Sequence, residues 1–566
     1  MAHTLRKIIA ATAAAFILAG TGLLSACRQE ESSMPSVSDP NINADPYNVR
    51  EGEAVPKPAK ADKLRVYPMD NEALESKKAV YALQGLINQQ QAEVYVRGSS
   101  FIQDRQWIDQ LQGYYSEIET VKIEEDTTLL QLFKDYKDRI KRVYIYDPTQ
   151  EKDYTWTLAV TMSSLNSGIP LSYGLYQIIQ AQLGYEGEVI DLRERWPSQQ
   201  EAYDYMIEEL LPHTSKQVVF CIDPFMDSRT VDYAMASRAV VFWLNETERD
   251  DKKILERIFS SDHFVENAII MGYGDASNGK SGDDLLNAGN PYGFGFVATT
   301  WFANGSVFAS IDNVSLKEQR PGKAVEVDED KTYVCMFWSD GDNLQYDQLG
   351  LRAAWDNDNR GKIPVASTIA PLLAEAAPPI MQWYYDNMGE NDELIAGPSG
   401  WQFIYPQMYE KETLKAWGEK NRKWLANSGI RVANMWRTNV REDRSIITTI
   451  LAESDIDGVF TPDMSAYAYE PYDIENTLVF NAPGNVWYNE PGELYNDFLQ
   501  KFLPQVGKPA KFVAINNILE GVKQKGFYDT IVAEVAYAEE QSPDTFVFLR
   551  PSDFIATYRK YMESMQ

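Results

Sequence analysis

The spacing of apolar and polar positions divides the chain into two folded stretches with different rhythms. Between residues 63 and about 311, segments with helical spacing alternate with short β-rich runs: a helix over 71–88, a strand over 92–96, then strands at 142–146, 217–222 and 267–271. Strands that alternate with helices predict parallel βαβ units covered on both faces. The region 63–325 is therefore expected to hold two or three small α/β modules. Residues 314–330 are charged, contain Pro321-Gly322 and lack periodicity, which places a boundary there. Beyond it, apolar runs at 333–338, 363–369, 393–396, 430–436, 458–461, 477–481, 511–516 and 545–549 are mostly separated by helix-like stretches. Seven or eight strand-helix repeats in about 240 residues predict a C-terminal (β/α) TIM-like barrel over 326–566. A doubly wound open sheet would give a similar string.

The first residues belong to neither rhythm. Arg6 and Lys7 precede an apolar run over 8–24 and then Leu24-Ser25-Ala26-Cys27, the three-part order of a secretory signal. The run falls short of the ~20 apolar residues that a spanning helix needs, and Gly20 and Gly22 weaken it further. Small residues before a cysteine resemble a bacterial lipobox, so residues 1–27 are expected to be a signal peptide and Cys27 a lipidated mature N-terminus. Residues 28–62, rich in Ser, Pro, Asn, Glu and Lys, cannot bury enough apolar surface to fold and are expected to form a tether. Glu30-Glu31 resembles the sorting signal of outer-face Bacteroidetes lipoproteins. The expected location is the cell envelope, lipid-anchored at the outer membrane, with the Cys27 lipid as the only membrane contact.

Charge and composition narrow the partners. A formal charge of -30 repels phosphate backbones and anionic head groups, which disfavours nucleic acid and peripheral membrane binding. A neutral partner fits better. Cys221 and Cys335 each lie in an apolar run and are expected as buried thiols. The three histidines are His3, His213 and His263, so the expected barrel has none. That removes Ser-His-Asp and Cys-His catalysis and histidine-rich zinc sites from it, leaving carboxylates, tyrosines and amides. Gly274 to Ser281 satisfies the P-loop expression, but the aspartates and glycines that follow predict no helix and no nucleotide. Asp356-Asn357-Asp358-Asn359-Arg360-Gly361 imitates a calcium loop, yet Arg360 and Ser367 stand where oxygen ligands are needed, so a polar turn is expected. No cofactor and no metal are expected.

Barrel chemistry sits just past the carboxyl ends of strands. There the chain carries Trp338, Asp340, Asp342 and Asn343, then Trp401 and Tyr405, Trp436-Arg437, Asp463 and Glu520. Two carboxylates two residues apart project to one side of an extended segment, about 6.5 to 7 Å apart, and so split their pKa values as an acid and base pair requires. Asp340 and Asp342 are thus the first candidates, with Asp463 and Glu520 as possible third acids; Asp-Gly-Asp-Asn is also a good turn. Trp338, Asn343, Trp401, Tyr405, Trp436 and Arg437 are the candidate substrate contacts, and Tyr467, Tyr469 and Trp487 further candidate stacking platforms.

Phe337 to Asn343 and Gly397-Pro398-Ser399-Gly400-Trp401-Gln402-Phe403-Ile404-Tyr405-Pro406 resemble the GxGYxYP family of Bacteroidetes, whose members are held to be glycoside hydrolases. Leu83-Gln84-Gly85-Leu86-Ile87-Asn88 resembles the start of that family's N-terminal region. Gln402 and Phe403 depart from the named signature, which has Gly and Tyr there. The resemblance implies an N-terminal α/β region, a C-terminal barrel, a cleft between them and a carbohydrate substrate. Three readings stay open: a glycoside hydrolase, a non-catalytic glycan-binding lipoprotein, and an oxygen-ligand metal site at Asp340, Asp342 and Asn343 that assists sugar binding.

Overall fold

The computed structural model describes residues 53–566 apart from 71, 124–126, 274–282, 313, 315, 317–318, 339–342, 436–444, 452–455, 463–470, 475, 483–484 and 519–525. The signal, Cys27 and the P-loop match lie outside the described residues. A helix, Asp283–Gly289, does follow that match, contrary to the expectation of continuing loop.

Three small parallel sheets come first, built on one plan. Strands β1 (Ala59–Met69), β2 (Gln91–Gly98) and β3 (Glu117–Thr120) lie in the order β2-β1-β3. Strands β4 (Arg142–Tyr146), β5 (Gly168–Ser172) and β6 (Glu188–Asp191) repeat it as β5-β4-β6. Strands β7 (Val218–Cys221), β8 (Val240–Phe242), β9 (Ile269–Gly272) and β10 (Gly295–Ala298) give β10-β9-β7-β8, the same order with one strand added. In each the first strand is central and crossovers leave it toward both sides, the arrangement that covers both faces of a parallel sheet.

The helices that follow each first strand bring the modules together. Helix Leu74–Asn88 packs against β5 and against helix Val231–Ala236. A Cβ on Gly85 would stand 2.2 Å from the Asp232 carbonyl oxygen, so only glycine permits that approach. Gln84 and Asn88, polar members of the family-like hexapeptide, are buried and bonded: Gln84 Nε2 donates to Asn304 Oδ1 (2.7 Å) and Asn88 Nδ2 to Ser306 Oγ (2.8 Å). The expected tether is shorter than its polar composition suggests. Its end is docked, because buried Glu375 accepts the amides of Ala54 and Val55 (2.7 and 2.9 Å) and β1 already pairs with β2 at Ala59.

The fourth sheet holds β11 (Thr332–Trp338), β12 (Val365–Ile369), β13 (Asp392–Ala396), β14 (Val432–Asn434), β15 (Gly458–Thr461), β16 (Tyr472–Ile474), β17 (Thr477–Asn481), β18 (Asn485–Val486), β19 (Lys511–Asn517) and β20 (Phe546–Leu549). All eight expected runs are strands, and every pairing except β16 with β17 is parallel. The sheet curls strongly: Phe337 of β11 and Phe460 of β15 stack at 5.0 Å across its interior, and Phe554 of helix Pro551–Ser564 plugs the core against Phe480 and Phe512. Yet the expected closed barrel is not formed among the described residues. The hydrogen-bonded path runs β16-β17-β15-β14-β13-β12-β11-β19-β18, and the antiparallel β16 occupies the edge of β17 that closure would use. On its other side β11 is shared, β20 pairing Thr332 to Cys335 and β12 only Phe337 and Trp338.

The segment before β11 is bound to this sheet. Gln319 exchanges hydrogen bonds with the Leu394 backbone (2.7 and 2.8 Å), and Val325 N donates to Thr557 Oγ1 (3.1 Å). Cys221 and Cys335 are buried and are not joined in a disulfide. Among the described residues no helix is long and apolar enough to cross a membrane.

Candidate functional site

The strands of the large sheet, parallel but for β16, bring their carboxyl ends to one edge. Asp340 and Asp342 follow β11 in the chain, Trp436 and Arg437 follow β14, Asp463 follows β15 and Glu520 follows β19. All six lie outside the described residues, as do Tyr467 and Tyr469. The described part of the edge is rich in amides and hydroxyls. Asn434, Asn516 and Asn517 are fully buried, and Thr368 and Thr461 nearly so. Asn517 Nδ2 donates to the Phe337 carbonyl (2.8 Å), its Oδ1 accepts from Tyr488, and Thr368 Oγ1 donates to the Trp338 carbonyl (2.9 Å). Gly397 has no side chain where a Cβ would come within 3.0 Å of Thr368 and 3.4 Å of Asn434. Strand ends are thus locked to one another by side chains, as a preorganised site requires.

Four of the candidate substrate contacts are described, and all are buried. Trp338 packs on Phe527 at 4.3 Å and Tyr346 at 5.5 Å, with its Nε1 unpartnered among the described residues. Trp401 stacks on Trp424 at 6.3 Å, and Tyr405 meets Phe403 edge to face at 5.4 Å. These two rings are interior packing and present no open face. Asn343 Oδ1 accepts from Ala298 N (3.3 Å), while its Nδ2 has no partner among the described residues.

Asn343 begins an amide clamp that the sequence pattern did not reveal. Helix Asn343–Gln348, which starts one residue past Asp342, holds the loop after β10. Gln345 Oε1 accepts from Trp301 N (3.1 Å), and Gln348 brackets Ala303 with bonds to its N and O (2.7 and 2.8 Å). Trp107 of the first module donates to the Gln348 carbonyl (2.9 Å). The clamp presents Trp301, which with Trp487 is the most exposed tryptophan among the described residues, at 38% and 37%. Trp301 lies in a short run outside every strand pattern, so only its exposure identifies it.

The signature-like segment 400–406 joins the third module to the large sheet. Phe403 forms a two-bond bridge with Phe296 of β10 (both 2.9 Å), and Tyr405 N donates to Asn290 Oδ1 (2.7 Å). Gln402 is fully buried, donating to the Asn267 carbonyl (3.0 Å) and accepting from Trp417 Nε1 (3.2 Å). Gly400, with φ +146, brings the chain against Asn421, whose Oδ1 accepts from Trp401 N (3.1 Å). The segment 356–361 is a polar turn in which Asn359 N donates to Asn357 Oδ1 (2.7 Å).

Three family models match in register with these units. Residues 330–564 match the "GxGYxYP putative glycoside hydrolase C-terminal domain", 216–310 the "GxGYxYP third domain" and 63–138 the "GxGYxYP_N 1st domain". The chain belongs to the GxGYxYP family. Among solved structures it is similar to a "putative hydrolase from Bacteroides thetaiotaomicron VPI-5482", with a TM-score of 0.78 and 20% identity over 92% of this chain and 99% of that one. At that identity the likeness shows a shared fold. A "putative polysaccharide deacetylase from Mycobacterium smegmatis" also aligns, with a TM-score of 0.31 and 12% identity over 44% of this chain and 96% of that one. No curated protein matches. In this GxGYxYP protein the Gln402 side chain serves the module junction by donating to the Asn267 carbonyl, while Phe403 serves it through its backbone bridge to Phe296.

Proposed function

We propose that this GxGYxYP protein is a glycoside hydrolase acting on a polysaccharide or oligosaccharide at the carboxyl edge of its large sheet. The observation that carries the reading is convergence: the candidate acids follow β11, β15 and β19, strands of one curled parallel sheet whose carboxyl edge is lined by buried amides. In parallel α/β architectures that edge is where ligands bind. Asp340 and Asp342 supply the carboxylate pair, or one of them acts with Asp463 or Glu520. One protonated carboxyl assists the leaving oxygen, and one carboxylate attacks the anomeric carbon or activates water. Exposed Trp301 and Trp487 support a sugar partner, because an indole face stacks on the apolar face of a pyranose.

The proposal includes export, lipidation at Cys27 and residence at the outer membrane. The competing reading is a glycan-binding lipoprotein without turnover, which the same exposed tryptophans would serve. Incubation of the purified protein with a panel of oligosaccharides, read by product mass, separates them: shortened products support hydrolysis, and binding without products supports the alternative.

A further inference from the structure

One surface helix of the second module lacks the charge that the rest of the chain carries. Helix Tyr173–Leu183, which follows β5, reads Tyr-Gly-Leu-Tyr-Gln-Ile-Ile-Gln-Ala-Gln-Leu and buries only Ile179. It has no charged residue, in a chain with a formal charge of -30. A helix at a protein surface ordinarily turns charged side chains to solvent, so this one calls for another explanation. Its spacing separates two stripes. Leu175, Ile178 and Ile179 line a cleft of about 670 Å³ that they share with Leu129 and Leu130 of the first module. The aliphatic side chains therefore turn toward another part of the same chain. Tyr173, Tyr176, Gln177 and Gln180 form the other stripe, at i, i+3, i+4 and i+7.

Tyr173, Gln177 and Gln180 are exposed and Tyr176 is half-buried. The two rings stand 6.4 Å apart and are inclined by 38°, an arrangement that suits successive rings of one twisted polymer. The platform is held from the other side of its sheet. Arg193, two residues past β6, lies 4.5 Å from the centre of the Tyr173 ring. Asp191 grips its guanidinium at Nε (2.9 Å) and Nη2 (2.5 Å) and accepts from its backbone N (3.1 Å). Because β5 and β6 flank β4, ring and guanidinium meet across the carboxyl end of the central strand. Crossovers leave that strand to both sides, and there parallel sheets bind ligands. Asp191 cancels the charge of Arg193, and Tyr173 remains 42% exposed beside the pair. An open aromatic ring, exposed amides and a neutralised ion pair are the groups that recognise a polyhydroxylated ring, by stacking on its C–H face and by hydrogen bonds to its hydroxyls. A charged polymer would gain nothing from a stripe without charge, and the aliphatic residues that would serve a second copy of the chain lie on the other stripe.

We propose that the Tyr173 face of this helix is a carbohydrate-binding surface for a neutral polysaccharide, on a different module from the candidate acids, which retains the polymer while the large sheet acts on it. It rests on the carbohydrate reading above and does not require turnover. Affinity electrophoresis of the purified protein in gels containing starch, galactomannan, arabinoxylan or polygalacturonate tests it. At least one of the three neutral polymers should retard the parent, and polygalacturonate should not. Tyr173→Ala should weaken that retardation about threefold or more, with or without Trp301→Ala, and Tyr173→Phe, which keeps the ring, should restore most of it. Gln177→Ala should weaken it in the same direction. Both positions are exposed, so the melting temperature should stay at the parental value. Parental retardation in both Tyr173→Ala and Gln177→Ala, retardation of the parent by polygalacturonate alone, or none by any polymer would overturn the assignment. So would a dimer in sedimentation that Tyr173→Ala converts to monomer, which would give the face to a second copy. Asp340→Asn should migrate as the parent does, so absent products with retardation intact would sink the hydrolase reading and leave this surface standing.

Discussion

Gln402 occupies the space that Gly295 leaves open: a Cβ at residue 295 would stand 2.1 Å from Gln402 Oε1. The pair joins β10 of the third module to the segment that follows β13, and it explains how a family signature with Gln in place of Gly is tolerated. Gln402→Gly should cost about 2–4 kcal/mol, since it opens a cavity and leaves Trp417 Nε1 and the Asn267 carbonyl unpaired. Gly295→Ala should destabilise as well, by overpacking. Calorimetric melting checks both, and a parental melting temperature in either would show that the junction relaxes freely.

Asp340→Asn and Asp342→Asn keep size and most hydrogen bonding while removing proton chemistry. Turnover on a responsive glycan should fall by about 10² or more in at least one variant, with sugar binding retained. Near-parental turnover in both, with folding unchanged, would move the chemistry to Asp463 and Glu520.

Trp301→Ala should weaken oligosaccharide binding several-fold without changing thermal stability, because the ring is exposed while the loop is held through backbone bonds to Gln345 and Gln348. Trp301→Phe should recover part of the affinity. Affinity electrophoresis reads the difference, and equal mobility of the parent and Trp301→Ala would exclude the ring from binding.

Burial raises Glu375 and Glu393 from 4.5, and Asp153 and Asp232 from 3.8, to about 7. Between those values the folded chain holds protons that the unfolded chain has released. Stability therefore falls as pH rises from about 4 through 7 and levels off above, by at most about 3 kcal/mol for fully buried Glu393 and about 4 kcal/mol for fully buried Asp232. Glu393→Gln, which still accepts from Ser552, should flatten that slope in denaturant titrations between pH 5 and pH 8. An unchanged slope would show that Glu393 is not among the groups responsible.

In the producing cell, the mature protein should begin at Cys27 and incorporate labelled palmitate, and Cys27→Ser should not. Label retained in that variant would place the lipid elsewhere.

Periodicity alone located every strand it was asked about in the large sheet, from Thr332–Trp338 to Phe546–Leu549, because a fully buried parallel strand is a continuous apolar run wherever it sits. It also placed Asp340, Asp342, Asp463 and Glu520 just past strand ends, since that is a matter of chain order. It did not find β3, β6, β16 or β18, which are short and partly exposed or at an edge, nor β1, whose polar start pairs with β2, nor β5, β8 and β10, which are buried but only three to five residues long. Closure was beyond it, since whether β17 meets β18 or is taken by β16 depends on a hairpin too short to have a period. So was the fate of each aromatic. Trp401 and Trp301 are the same residue type beside turns, and only packing distinguishes them: Trp424 covers one, while the Gln345 clamp leaves the other in solvent. A hydrophobic pattern records which residues can be buried, and neighbours far along the chain settle which of them are.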